Sequence, residues 1–298
     1  MIGVNQMSPP RRSSRPGRRL TVITEPGNGT SPGSPLAPEV VAGRVTPPGG
    51  DSRDRSNQSV RASGRRGLLV AVCGLCGGAG ASTQAFLIAA AEQAVLEPGT
   101  VLVADTGGPG SRLADYAGVT SPRSLTEAAG LAAASQPVGQ LVAVAGDGLR
   151  VLACGPGFAT DCASDGVSLL LDHARSHYGL SVIDCGTLAR HADQIALVKA
   201  THIVWVLPTT YSAARSAERL LDQFNPSLSA TEIVVARCDP SQPKAPLRML
   251  RRLAQQRHAP LVLMPAVGDL AETKLQKALE VSQISLQAIH GQLARPIQ

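Results

Sequence analysis

From residue 67 onward, short runs of apolar residues alternate with longer stretches of mixed character. Leu68–Cys73, Val101–Ala104, Val151–Cys154, Leu180–Ile183, Ile203–Leu207, Ile233–Val235 and Leu261–Met264 read as strands. These runs are apolar throughout rather than at every second position, which is the pattern of strands covered on both faces. Between them, Ser82–Leu96, Ser124–Ala134, Val167–His177, Asp193–Ala200, Tyr211–Phe224, Pro246–Gln256 and Leu270–Leu293 have the length and the Ala, Leu, Gln and Arg content of crossover helices. Strand and helix in repeated alternation predict an α/β fold, a doubly wound and mostly parallel sheet with helices on both sides. Ligands bind such a sheet beyond the carboxyl ends of its strands, so the residues directly after each run are the ones to examine.

Residues 1–66 follow a different pattern. They hold eleven arginines, no lysine, four acids and nine of the 22 prolines, with no apolar run long enough for a signal peptide or a membrane span. The chain's net charge of +6 therefore resides in this segment, and the remaining 232 residues come to −1. The expected organisation is a disordered Arg/Pro/Gly/Ser-rich arm over 1–66 and one α/β domain over 67–298. The arginines of the arm, Arg11, Arg12, Arg15, Arg18, Arg19, Arg65 and Arg66 among them, suit DNA phosphates or an anionic membrane, or simply a solvated tail. Aromatics are 2% of the chain, too few for base-stacking platforms. Six cysteines without framework spacing and the lack of an export signal point to free thiols and a cytoplasmic protein, peripheral to membrane or nucleoid if the arm binds there. Cys73 and Cys76 have redox spacing but no second pair to complete a zinc site.

The first strand runs into Gly74-Leu75-Cys76-Gly77-Gly78-Ala79-Gly80-Ala81-Ser82-Thr83 and then directly into a helix. Small residues let successive N–H groups converge, and the helix N-terminus adds partial positive charge, so Gly77, Gly78, Ala79, Gly80, Ala81, Ser82 and Thr83 are candidates to cradle phosphate. A Walker A loop places lysine where Ala81 stands, while Ser82 keeps a hydroxyl at the Mg²⁺ position. A hydrogen bond to a charged group contributes roughly 1.5–3 kcal/mol, so losing that ammonium slows phosphoryl transfer by a decade or more while leaving binding through amides open. A dinucleotide site is the rival reading, with Asp105 as the ribose acid. It is disfavoured because none of Tyr116, Tyr178 and Tyr211 has a lysine four residues on.

These motifs, in their order, resemble the MinD/ParA family of deviant-Walker ATPases, whose loop has the form K-G-G-x-G-K-[ST]-T. Gly77-Gly78-Ala79-Gly80 and Ser82-Thr83 match it. Cys76 stands at the family's signature-lysine position and Ala81 at the ordinary Walker lysine, so the Walker A is degenerate. Val101–Asp105 resembles switch I, with Gly107 where a second carboxylate often stands, and Ser181–Gly186 resembles Walker B and switch II. The resemblance makes Asp105 and Asp184 the switch and Walker B acids, and Ser82 and Asp184 the Mg²⁺ residues. The position that usually carries the adenine-reading Asn is Ala236. Arg112 and Arg190 are candidates for a stand-in positive charge. The G-G-A-G-A-S-T form is most similar to the CpaE/TadZ branch and to actinobacterial septum-site-determining proteins.

The resemblance implies a spatial regulator or scaffold for septum or pilus placement, binding ATP and Mg²⁺ with little hydrolysis. A homodimer and a partner in the septum or pilus machinery are implied with it. Two alternatives stand beside it: an active ATPase with a substitute cation, and a non-enzymatic module held on DNA or anionic membrane by residues 1–66. The apolar stripe Leu275, Leu279, Leu286, Ile289 and Leu293 is expected to pack on its own domain, because few bases flank it for a membrane surface.

Overall fold

The apolar runs become strands and the stretches between them helices. A computed structural model describes residues 66–106, 111–120, 125–153, 164–223, 230–239, 241, 247–271 and 274–295. All of them belong to one compact unit of the chain, Asp51–Gln298. Residues 1–65 of the predicted arm, Gly107, Cys154 and Cys162 lie outside the described residues.

The strands are β1 (Leu68–Gly74), β2 (Val101–Asp105), β3 (Ala143–Val144), β4 (Arg150–Leu152), β5 (Leu180–Asp184), β6 (His202–Pro208), β7 (Thr231–Cys238) and β8 (Leu261–Pro265). The helices are α1 (Ala81–Gln93), α2 (Leu113–Ala117), α3 (Leu125–Ala133), α4 (Ser164–His177), α5 (His191–Lys199), α6 (Tyr211–Gln223), α7 (Leu247–Gln256) and α8 (Leu275–Leu293). The sheet order is β3-β4-β2-β5-β1-β6-β7-β8, with every pair parallel except β3 and β4. This is the α/β, doubly wound, mostly parallel sheet expected from the sequence.

Side chains of β1 alternate between two cores, as the two-residue period of a strand requires. Leu69, Ala71 and Cys73 enter the core shared with α3, α4, α5, α6 and α7. Val70 and Val72 enter the core shared with α1, α2 and α8. Trp205 on β6 is fully buried, and its indole N–H donates to Glu232 at 2.7 Å, which also pairs with Arg257 at 2.6 Å. That pair satisfies the one polar atom of the largest core side chain.

Three features depart from the sequence expectation. β3 is a two-residue strand that returns antiparallel to β4 through a tight turn, where Asp147 (φ 57°) and Gly148 (φ 82°) take left-handed conformations. α2 is a single short turn, too brief to leave a periodic signal. α8 begins at Leu275 rather than Leu270, and Leu270 is buried ahead of the helix. The expected packing of the last helix holds: Leu286, Ile289 and Leu293 are buried against the sheet, with Leu275 and Leu279 partly so.

Candidate nucleotide-binding site

β1 occupies the centre of the sheet, between β5 and β6, and the glycine loop leaves its carboxyl end. The loop is tied down at its start. Gly74 N–H donates to Gly186 O at 2.6 Å and Leu75 N–H to Val206 O at 2.8 Å. Beyond that the chain curls, with Gly78 at φ 70° and Gly80 at φ 93°, conformations open to glycine at little cost. Gly80 caps α1 without a side-chain hydrogen bond, and no acid lies in the first turn. The N–H groups of Gly78, Gly80, Ala81, Ser82 and Thr83 find no backbone acceptor among the described residues. A row of open N–H groups at a helix N-terminus is an anion cradle. Beside the loop lies a cavity of about 420 Å³, lined among others by Cys76 through Thr83, Asp105, Arg112, Tyr116, Asp184, Arg190 and Asp193.

Two predicted acids meet there. Asp105 and Asp184 end adjacent strands and are register partners, so both carboxylates face the same end of the sheet. Both are buried. Ser111 Oγ donates to Asp105 at 2.5 Å. Ser82 Oγ donates to one oxygen of Asp184, and Gly186 N–H donates to the other at 3.0 Å. Asp184 thus caps a turn and holds the Mg²⁺-position hydroxyl at once. Burial pushes its carboxyl up to about 6, against those two hydrogen bonds, and the nearby Asp105 and Asp193 push the same way. Ser82 and Asp184 are the residues that would hold Mg²⁺, and the adjoining oxygen-rich pair suits that hard cation. No cluster of three or more metal-ligating His, Cys, Asp or Glu side chains occurs among the described residues.

The lysine positions hold no cation. Ala81 is buried in the first turn of α1. Cys76 is half-buried, and burial raises its thiol, outweighing the opposite pull of Arg237. Its place near a helix N-terminus therefore does not activate the thiol, because desolvation wins. Cys73 packs in one core and Cys76 against the other, so their redox spacing does not make a pair. Ala236 is fully buried and offers no polar group to a base.

Arg190 is spent. It donates to Thr106 O, to Thr106 Oγ1 at 2.6 Å and to Asp193 at 3.2 Å, while Asp193 also accepts from the Arg190 backbone N–H at 2.9 Å. Arg112 pairs with Asp269 and, at 3.4 Å, with Asp115. Both arginines line the cavity with their charges already engaged.

Several site residues escape the sequence reading. Asp193 stands at the third position of α5 and buttresses Thr106. Tyr116 reaches Thr83 Oγ1 at 3.3 Å and lies under Arg112. Its rarity in a chain of three tyrosines was the available signal. Arg237, at the end of β7, donates to Gly78 O at 3.1 Å.

No protein-family model and no curated protein matches the chain. Solved structures do. A ParA family ATPase from Chlorobium tepidum is 19% identical with a TM-score of 0.59, over 78% of this chain and 96% of that one. A chain of the MinC:MinD cell division complex of Aquifex aeolicus is 16% identical with a TM-score of 0.57, over 78% and 97%. The septum site-determining protein MinD of Pyrococcus horikoshii, complexed with Mg-ADP, is 15% identical with a TM-score of 0.55, over 77% and 99%. The structural neighbours of this chain are thus MinD/ParA family ATPases, and the fold is the one they share.

Proposed function

We propose that this protein is a MinD/ParA-like spatial regulator or scaffold, of the CpaE or septum-site-determining kind, that binds ATP with Mg²⁺ weakly and hydrolyses it little. The observation that carries this reading is the combination at the loop: a row of open N–H groups, Ser82 held by Asp184 beside Asp105, and a buried Ala81 where phosphoryl transfer needs a cation. Nucleotide phosphates would sit on the N–H row, and Mg²⁺ would offset their charge next to Ser82 and Asp184. The chain's residues supply binding and orientation. A homodimer, a partner in the septum or pilus machinery, and contact of residues 1–66 with DNA or anionic membrane belong to the same proposal.

The rival reading, a working ATPase with a borrowed cation, loses support at Arg112 and Arg190. Each is already held by carboxylates. The two readings separate on the full-length protein in a phosphate-release assay. Ala81→Lys restores the missing ammonium and is expected to raise turnover by about ten-fold or more, from a wild-type rate near background. Rapid release by the wild type, unchanged in Ala81→Lys, would overturn the low-hydrolysis reading.

A further inference from the structure

We infer that Arg237 is a ground-state cation for this nucleotide site, holding the phosphate chain from the end of β7 while leaving unreplaced the ammonium that phosphoryl transfer would need at Ala81. The inference rests on the nucleotide reading above and deepens it.

Strand geometry delivers the side chain. Val235 belongs to the core shared with α1, and two residues later Arg237 emerges on the same face at the carboxyl end of β7. There it meets the loop that opens α1. One Nη2 hydrogen bond, 3.1 Å to Gly78 O, anchors it. Nη1 lies 2.8 Å from where a Cβ on Gly80 would be, so the guanidinium fills the space that a side chain at position 80 would need. Its charge is felt at the Cys76 thiol, the position of the signature lysine in the resemblance.

Arg237 also lacks a carboxylate ion-pair partner among the described residues, although its charge is felt at the nearby Asp239. Arg112, Arg190, Lys199 and Arg257 each pair with one. The Arg237 Nε–H is buried without an acceptor. A guanidinium stays protonated and presents a fork of donors matched to phosphate oxygens, so a phosphate chain on the loop would be taken by the terminal nitrogens, which already stand at Gly78 and Gly80.

The test is calorimetric titration of the full-length protein with Mg·ATP, with inorganic tripolyphosphate and with adenosine, for wild type, Arg237→Ala and Arg237→Gln. The Gln variant keeps a donor for Gly78 and loses the charge. Both variants are expected to melt like the wild type, to bind Mg·ATP and tripolyphosphate about ten-fold or more weakly, and to leave adenosine binding unchanged. Wild-type binding of Mg·ATP with neither variant weakened would overturn the role of Arg237 and leave the proposed function standing. Equal losses for adenosine and ATP would also overturn it, by moving the residue to the base. If Arg237→Ala alone fails to fold, Arg237→Gln decides. A wild-type protein that binds neither Mg·ATP nor tripolyphosphate removes the proposed function and this role together.

Discussion

Asp184 is held in its ionised form at a cost. Its carboxyl titrates at about 6 instead of the ordinary 3.8, so the folded state binds a proton more readily than the unfolded chain. Below 3.8 the group is neutral in both states and costs nothing. As pH rises from there through 6 the folded state loses stability, and above 6 the loss is complete. Asp184→Asn cannot ionise and still offers an oxygen to Ser82. Thermal melts of the full-length protein should therefore show the variant more stable than wild type at pH 7.5, by on the order of 2 kcal/mol, with the difference gone near pH 4. Equal differences at both pH values would contradict the account. A buried acid kept against its own desolvation is what a binding site needs and a core does not. Residues of this kind differ in how far the sequence exposes them. Gly77 through Thr83 are contiguous, and their spacing alone marks a phosphate loop. Asp105 and Asp184 are marked by ending apolar runs. Arg237 is distant in sequence from Gly78, and only the pairing of β6 with β7 and of β1 with β6 brings it to the loop.

At the scale of elements, strands were legible because burial on both faces leaves unbroken apolar runs. Their ends were less so, because polar residues such as Asp105, Asp184 and His202 still pair in the ladder. β3 and α2 are too short for periodicity to register. Helix α8 tests the opposite point, that a stripe can be read correctly and still have two destinations. Ser285 Oγ donates to Leu263 O at 2.7 Å and lays this helix over the edge strand β8. Ile289 is 1% exposed, whereas Ile284 on the same helix is 84% exposed. In denaturant titrations Ile289→Ala should cost about 2–5 kcal/mol and Ile284→Ala less than about 0.5 kcal/mol. Comparable small effects at both sites would mean that the stripe does not pack on its own sheet. No helix among the described residues is long and apolar enough to cross a membrane.

For the whole molecule, the arrangement of β1 at the middle of the sheet puts the loop where the strand order changes direction, the place at which open α/β sheets take their ligands. The net charge of 67–298 is close to zero, so attraction for a triphosphate arises locally, from the N–H row and Arg237, rather than from the overall field. Everything functional in this account requires that the lysine-free loop hold nucleotide phosphates. The most direct measurement is a calorimetric titration of the full-length protein with ATP in the presence of Mg²⁺. Saturable binding, with a dissociation constant in roughly the micromolar to millimolar range, is the predicted result. A flat titration at millimolar ATP would contradict it and leave a nucleotide-binding fold that binds none.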